Sequence, residues 1–133
     1  MEVEIFTLCE YAHTYDGNKL TIVGTFDGIQ APQFPAQHAS CSIAVKLRFA
    51  ESEAGPHSMV LKMVNAAGTP VFPELQGNIE VGRPTAGTHA AVAMAIHINQ
   101  IPFEKPGRFS FELHIDGEWR AGLPLLVSQA QVA

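Results

Sequence analysis

The sequence predicts an all-β fold, a single-domain antiparallel β-sandwich of immunoglobulin-like or related type with about eight strands, and three observations predict it. Glycine and proline punctuate the chain at short, even intervals: Gly17, Pro32 to Pro35, Gly55-Pro56, Gly68 to Pro70, Gly82 to Pro84, Pro106-Gly107 and Gly117. The segments between them are about ten residues long, the spacing of sandwiches and barrels. Within the segments apolar side chains recur at every second position, which lines one face of a pleated strand. Two Asp-Gly pairs, Asp16-Gly17 and Asp116-Gly117, supply the positive-φ dipeptides of tight hairpins.

Taken in order, the first segment places Val3 and Ile5 on one face and Phe6 and Leu8 on the other, as in a strand covered on both sides. The Asp16-Gly17 turn joins it to a second strand from about Lys19 to Ile29, where Leu20, Ile22 and Phe26 alternate with Lys19, Thr21, Thr25 and Asp27. Cys41, Ile43, Val45, Leu47 and Phe49 alternate with Ser42, Ala44, Lys46 and Arg48 in a third, and Met59, Leu61 and Met63 set the inward face of a fourth. Residues Thr88 to Gln100 contain four strong helix formers, Ala90, Ala91, Ala93 and Ala95. Val92, Met94, Ile96 and Ile98 alternate with small residues there, and β-branched side chains favour a strand. Phe109, Phe111, Leu113 and Ile115 form the clearest strand, returned by Asp116-Gly117 into Trp119, Ala121, Leu123, Leu125 and Val127. Pro73 and Pro124 lack a ladder donor, which places them at sheet edges or bulges.

Size and charge narrow the function. The 133 residues, 47% hydrophobic, suffice for one domain over residues 1–133, burying roughly two thirds of the surface of the unfolded chain. A charged fraction of 16% with large apolar residues throughout excludes disorder. A net charge of −5 argues against nucleic acid, which demands clustered cations. No stretch approaches the roughly 20 apolar residues of a membrane span, and the acidic opening Met1-Glu2-Val3-Glu4 is unlike a secretory leader. The expectation is a cytoplasmic protein with no nucleic-acid or membrane partner. Cys9 and Cys41 have no cysteine nearby in sequence and read as reduced, packed thiols. No Gly-x-Ser-x-Gly elbow, Gly-x-Gly-x-x-Gly turn or phosphate loop occurs, so neither enzymatic activity nor a cofactor is expected.

The run Leu8-Cys9-Glu10-Tyr11-Ala12, followed by Gly17-x-Lys19-Leu20-Thr21-Ile22-Val23-Gly24-x-Phe26-Asp27, resembles the opening of a family of small uncharacterised bacterial β-sandwich proteins. The likeness extends to Pro106-Gly107-Arg108-Phe109-Ser110-Phe111 and the Asp116-Gly117 turn, and so spans most of the chain. It implies a one-domain sandwich of unknown function with no catalytic residue to carry over. The Pro-Gly-x-Phe-x-Phe stretch is also similar to the last hairpin of immunoglobulin-like modules, although the inter-sheet cysteine pair and central Trp of that fold are missing.

Two constellations are candidate sites. If residues Thr88 to Ile101 pair with Gly107 to Asp116 around the Pro102 to Pro106 loop, His97 lands opposite Glu112 or His114. Two imidazoles and a carboxylate can hold zinc with an open position, or act as a base. Cross-strand His and Glu pairs are also ordinary on solvated sheets. Near the first turn, Tyr11, His13, Tyr15 and Asp16 offer ring faces and polar tips for a sugar or peptide, as does Trp119. His38, His57 and His89 read as solvated loop residues.

The leading functional reading is a non-enzymatic protein-interaction or homo-oligomeric assembly module. Its motive is excess apolarity: the two-sided first strand with Phe6 and Leu8, the alanine-lined face of Ala91, Ala93 and Ala95, and the apolar tail from Leu123 to Val127. A self-partner or another protein is expected on those positions. Ligand or metal binding through His97, Glu112 and His114, or carbohydrate binding, is the alternative.

Overall fold

A computed structural model of the chain describes residues 1–131. They form nine strands: β1 (Glu2–Tyr15), β2 (Lys19–Thr25), β3 (Gly28–Ala31), β4 (Ala36–Ala50), β5 (Gly55–Asn65), β6 (Leu75–Val81), β7 (His89–Phe103), β8 (Gly107–Ile115) and β9 (Glu118–Gln129). Among the described residues the only helical turn is a 3-10 turn at Glu51–Glu53. Sheet A has the order β2-β1-β4-β7 and sheet B the order β3-β9-β8-β5-β6. The sheets bury one core, in which Phe49, Phe103 and Phe111 are the largest enclosed side chains among Ile43, Leu47, Leu113, Ile115 and Leu125. Removing one such phenylalanine side chain costs about 3–5 kcal/mol, because the close-packed surroundings cannot collapse into the cavity.

The all-β class, both Asp-Gly hairpins and the strand at residues 89–103 agree with the sequence reading. Four details differ, each for a physical reason. The first strand is not two-sided in the way alternation implies. Its register slips between Val3 and Ile5, so Val3 faces Leu47, Phe6 faces Val45 and Leu8 faces Ile43, all toward the core. The extra residue of a bulge turns the rest of the strand onto the opposite face. Leu8 is therefore buried, and Phe6 is partly buried against the core.

The stretch from Lys19 to Ile29 is not one strand. It ends at Thr25, passes between the layers at Phe26 and Asp27, and resumes as β3 in the other sheet. There Gly28 to Ala31 run parallel to Leu126 to Gln129, the one parallel pair among the described residues. Third, β7 and β8 do not form a hairpin. β7 pairs with β4 and β8 lies between β9 and β5, so residues 104–106 arch from one sheet to the other. Fourth, Pro73 falls in the β5–β6 connection rather than in a strand. Pro124 is in β9 opposite Ser110, beyond the end of β3, whose pairing begins at Leu126; its missing N–H leaves no neighbour unsatisfied.

The β1–β2 hairpin makes a third, partial layer. Pairing of β1 with β4 ends at Cys9, opposite Ser42, whereas pairing with β2 continues to Tyr15, opposite Lys19. The distal hairpin leaves the sheet and folds across its outer face. Ala12, Leu20 and Ile22 pack there with Ile5, Cys9, Ala44 and Ala95, a second apolar cluster separate from the main core. At the tip, Asn18 reaches the open edge of β7. Its Nδ2 donates to the carbonyl of Ala91 and its Oδ1 accepts from the N–H of Ala93 at 3.2 Å, as the backbone of a neighbouring strand would.

This strap explains the alanines of β7, since a larger side chain at Ala93 or Ala95 would hold the hairpin away. It also protects an edge that would otherwise template unwanted pairing, a task shared with the positive-φ Gln100 and with Pro102 further along. Replacing Asn18 by alanine is expected to lower unfolding free energy by about 1 kcal/mol and to accelerate hydrogen exchange at the Ala93 amide. An Ala93 amide exchanging at the wild-type rate would show that the strap is not pinned there.

Candidate functional site

With Leu8 buried, Phe6 packed against the core and the alanine face partly covered, the surface apolarity concentrates elsewhere. Among the described residues five large hydrophobic side chains stay exposed: Tyr11, Tyr15, Val23, Trp119 and Leu126. Three of them share one face of the β1–β2 hairpin, because Tyr11 is directly opposite Val23 and Tyr15 is two rungs further along. His13, opposite Thr21, lies between the tyrosines, and Lys19 is opposite Tyr15. The strap's inner side is thus alanine, leucine and isoleucine, and its outer side aromatic.

The rings form a column. His97 of β7 stacks on Tyr11 with centroids 5.5 Å apart and planes at 19°. Tyr11 to His13 is 5.7 Å and His13 to Tyr15 is 5.8 Å, both tilted, and the Lys19 ammonium sits 5.8 Å from the Tyr15 centroid. Offset rings and a cation over a ring are mutually attractive, so the column holds its shape without a partner. None of the six side chains on this hairpin face is acidic.

His97 is fixed from below by Ser42, whose Oγ lies 2.8 Å from its Nδ1. A serine and a histidine at this distance resemble the first two members of a nucleophilic triad, but Ser42 is 1% exposed and no carboxylate bonds the other ring nitrogen among the described residues. The contact orients the ring. Neither cysteine supplies a nucleophile. Burial raises both thiols, Cys41 to about 11, and keeps them protonated near neutrality. Cys41 points into the main core and Cys9 into the cluster beneath the strap, on opposite sides of sheet A.

The anticipated His97, Glu112 and His114 trio is not assembled. His97 is on sheet A, whereas Glu112 and His114 lie on β8 in sheet B. The expectation assumed a β7–β8 hairpin, and the arch between sheets separates the histidines across the sandwich. Among the described residues no group of three His, Cys, Asp or Glu side chains is placed to hold a metal ion. Glu112 instead stands between Lys62 and Gly122, and His114 between Val60 and Trp119. The indole of Trp119 covers Gly122, with Cζ2 3.4 Å from where a β-carbon there would lie, and Ser110 alongside. Ala91, Ala93 and Ala95 are half-buried beside the strap.

A further arrangement escapes sequence reading. His57 is not a solvated loop residue; it stands in β5 with its side chain 15% exposed, its ring against Phe49. Its Nδ1 is 2.6 Å from Asp116 Oδ2 and its Nε2 is 2.6 Å from the carbonyl of Glu53. Both partners are acceptors, so the arrangement favours the ring that donates from both nitrogens, the imidazolium. The Glu53 carbonyl, and then the Asp116 carboxylate, hold His57 above its ordinary range, and the hydrogen bond from His57 with the N–H of Ser58 holds Asp116 below its own. No spacing rule joins residues 53, 57 and 116, just as none shows that the turn residue Asn18 grips β7. His38 also belongs to a strand, with its ring near Phe26, whereas His89 is exposed at the start of β7.

A family model described as a family of unknown function matches residues 4–128. Comparison with curated proteins found no match.

The His57 clamp gives stability a definite pH dependence. A raised folded pKa contributes fully below the unfolded value of about 6.5 and is lost as pH rises through the folded value. The lowered Asp116 contributes above its unfolded value and is lost as pH falls through its folded one. The stability gap between wild type and His57→Gln, measured by urea unfolding, is therefore expected to be wider at pH 5.5 than at pH 8.5. A gap that stays constant or widens with pH would contradict the charged clamp.

Proposed function

We propose that the chain, which belongs to the DUF6941 family of unknown function, is a non-catalytic protein-interaction module whose contact surface is the aromatic face of the β1–β2 hairpin. The observation that carries this reading is the gathering of Tyr11, Tyr15 and Val23 on one face around His13 and Lys19. Tyrosines with a preset geometry are efficient contact residues, because they present a large area, lose little freedom and keep a polar tip. The face has a cation and two neighbouring imidazoles but no carboxylate, on a chain of net charge −5. It therefore suits a different protein with an acidic and apolar surface, which this complementary charge steers into register. Self-association is the weaker reading, since Leu8 is buried, Phe6 and the alanines of β7 are partly covered, and Leu126 is the one large side chain of the tail Leu123 to Val127 left exposed. The buried Ser42, the protonated thiols and the unsupported His97 favour a role without catalysis. Two unpaired thiols suit the cytoplasm.

A photoreactive phenylalanine analogue at Tyr15, activated in living cells, is expected to capture one discrete acidic protein, and the same analogue at Glu74 in the β5–β6 connection is not. Tyr11→Ala with Tyr15→Ala is then expected to weaken the purified partner's affinity at least tenfold while leaving the thermal midpoint nearly unchanged, as befits half-exposed side chains. Adducts only between two copies of the chain, or equal capture from both positions, would overturn the assignment.

Trp119 supports a second reading, a saccharide platform. The indole is 57% exposed, lies over Gly122 and is bordered by Ser110, Glu112 and His114, an apolar plate among hydrogen-bonding groups. It is the single Trp of the chain, so its fluorescence reports the site alone. Titration with a panel of oligosaccharides is expected to give saturable quenching that disappears in Glu112→Ala. Unchanged fluorescence across the panel would remove this reading.

A further inference from the structure

We propose that a cavity at one end of the sandwich, where the β7–β8 arch meets the β5–β6 connection, binds a small monoanionic amphiphile: a carboxylate with an apolar chain or ring. The cavity measures about 550 Å³, within the range of roughly 300–1,000 Å³ typical of small-molecule sites. Its floor is apolar. Phe103 is buried and packs edge-on against Phe109, with centroids 5.1 Å apart, and Val71 beside them is only half-covered.

Its walls are stiff. Pro70, Pro102 and Pro106 each hold one backbone angle fixed. Asn65 Oδ1 accepts the N–H groups of Ala67 and Thr69, both at 3.0 Å, and the Val71 N–H donates to the carbonyl of Met63 at 3.0 Å. A site whose loop is already bonded to itself loses little freedom when a ligand enters. With its oxygen occupied, Asn65 has only donors left to offer.

Its rim is cationic. Lys105 and Arg108 are exposed there, and neither is in an ion pair among the described residues; Glu104 is the one carboxylate. Two unpaired cations together are a local reversal of a chain with net charge −5. The guanidinium fork matches a carboxylate, and a head group held at a hydrated rim avoids the cost of burying charge. A bare inorganic anion would leave the phenylalanine and proline surfaces wet, and a neutral hydrocarbon would leave the rim unused. Charge complementarity and apolar depth together select a ligand with a head and a tail.

Octanoate is a suitable probe. Titrated into the full chain and followed by amide NMR shifts, it is expected to bind saturably, with shifts confined to residues 65–71 and 102–109. Octanol is expected to bind at least tenfold more weakly. Lys105→Gln with Arg108→Gln should lose octanoate affinity at least tenfold, and Ala67→Glu, which adds a carboxylate at an exposed loop position, should weaken it as well. Both variants alter exposed side chains, and unchanged circular dichroism and melting would confirm their fold. Equal affinity for octanoate and octanol, full affinity in the double variant, shifts centred elsewhere, or no saturation up to about 10 mM, a binding free energy of only some −3 kcal/mol, would each overturn the proposal.

Discussion

The strand that exchanges one neighbour for another partway along its length sets the design of this molecule. β1 pairs with β4 from Glu2 to Cys9 and with β2 from Cys9 to Tyr15, so beyond Cys9 it has β2 alone. A ribbon of two strands has little stability in water by itself and must find a surface to lie on. The nearest is the outer side of sheet A, where Ala44 and Ala95 keep the approach shallow and Asn18 closes the far end on β7. The small residues, the protected edge and the outward aromatic column all result from that fold-back. One face of the ribbon must be apolar to adhere; the other is free to vary with function.

Much of the architecture was legible because it rests on local rules. Period-two alternation in β4 and β8 and the two Asp-Gly turns needed only neighbouring residues to be read. The illegible part depended on register or on strand order. A single extra residue near Glu4 moved Phe6 and Leu8 from a supposed surface into the core, and a one-residue slip is silent in composition. The break at Phe26 and Asp27 was hidden because the alternation of one strand passes smoothly into the next, although they join different sheets. The arch at residues 104–106 has the length and the proline content of a hairpin loop, and only the competition of β4 for β7 decides otherwise.

The site obeyed the same division. Tyr11, His13 and Tyr15 were visible as a cluster at a turn, since three residues at alternate positions on one strand must share a face. Their continuation into His97 was not, because it depends on β4 bringing Ser42 opposite His97. The alanine-lined face of β7 reads from sequence as a contact for a second copy or another protein, which calls for another layer. That layer proved to be an earlier part of the same chain. An apolar surplus counted from sequence therefore overstates what a folded molecule exposes, wherever a hairpin is long enough to return over its own sheet.

The parallel contact between β3 and β9 imposes an order on assembly. β3 has no other neighbour, and its partner residues, Leu126 to Gln129, lie about three quarters of the chain away. During synthesis the short segment from Gly28 to Ala31 leaves the ribosome early and waits, unpaired, until nearly everything else has emerged. Closing so long a loop is slow relative to forming local turns. The layer containing the first hairpin also waits, for β7 to give Asn18 something to hold. A nascent chain of this kind stays open at both layers until β7 and β9 have emerged, and the two layers close only then.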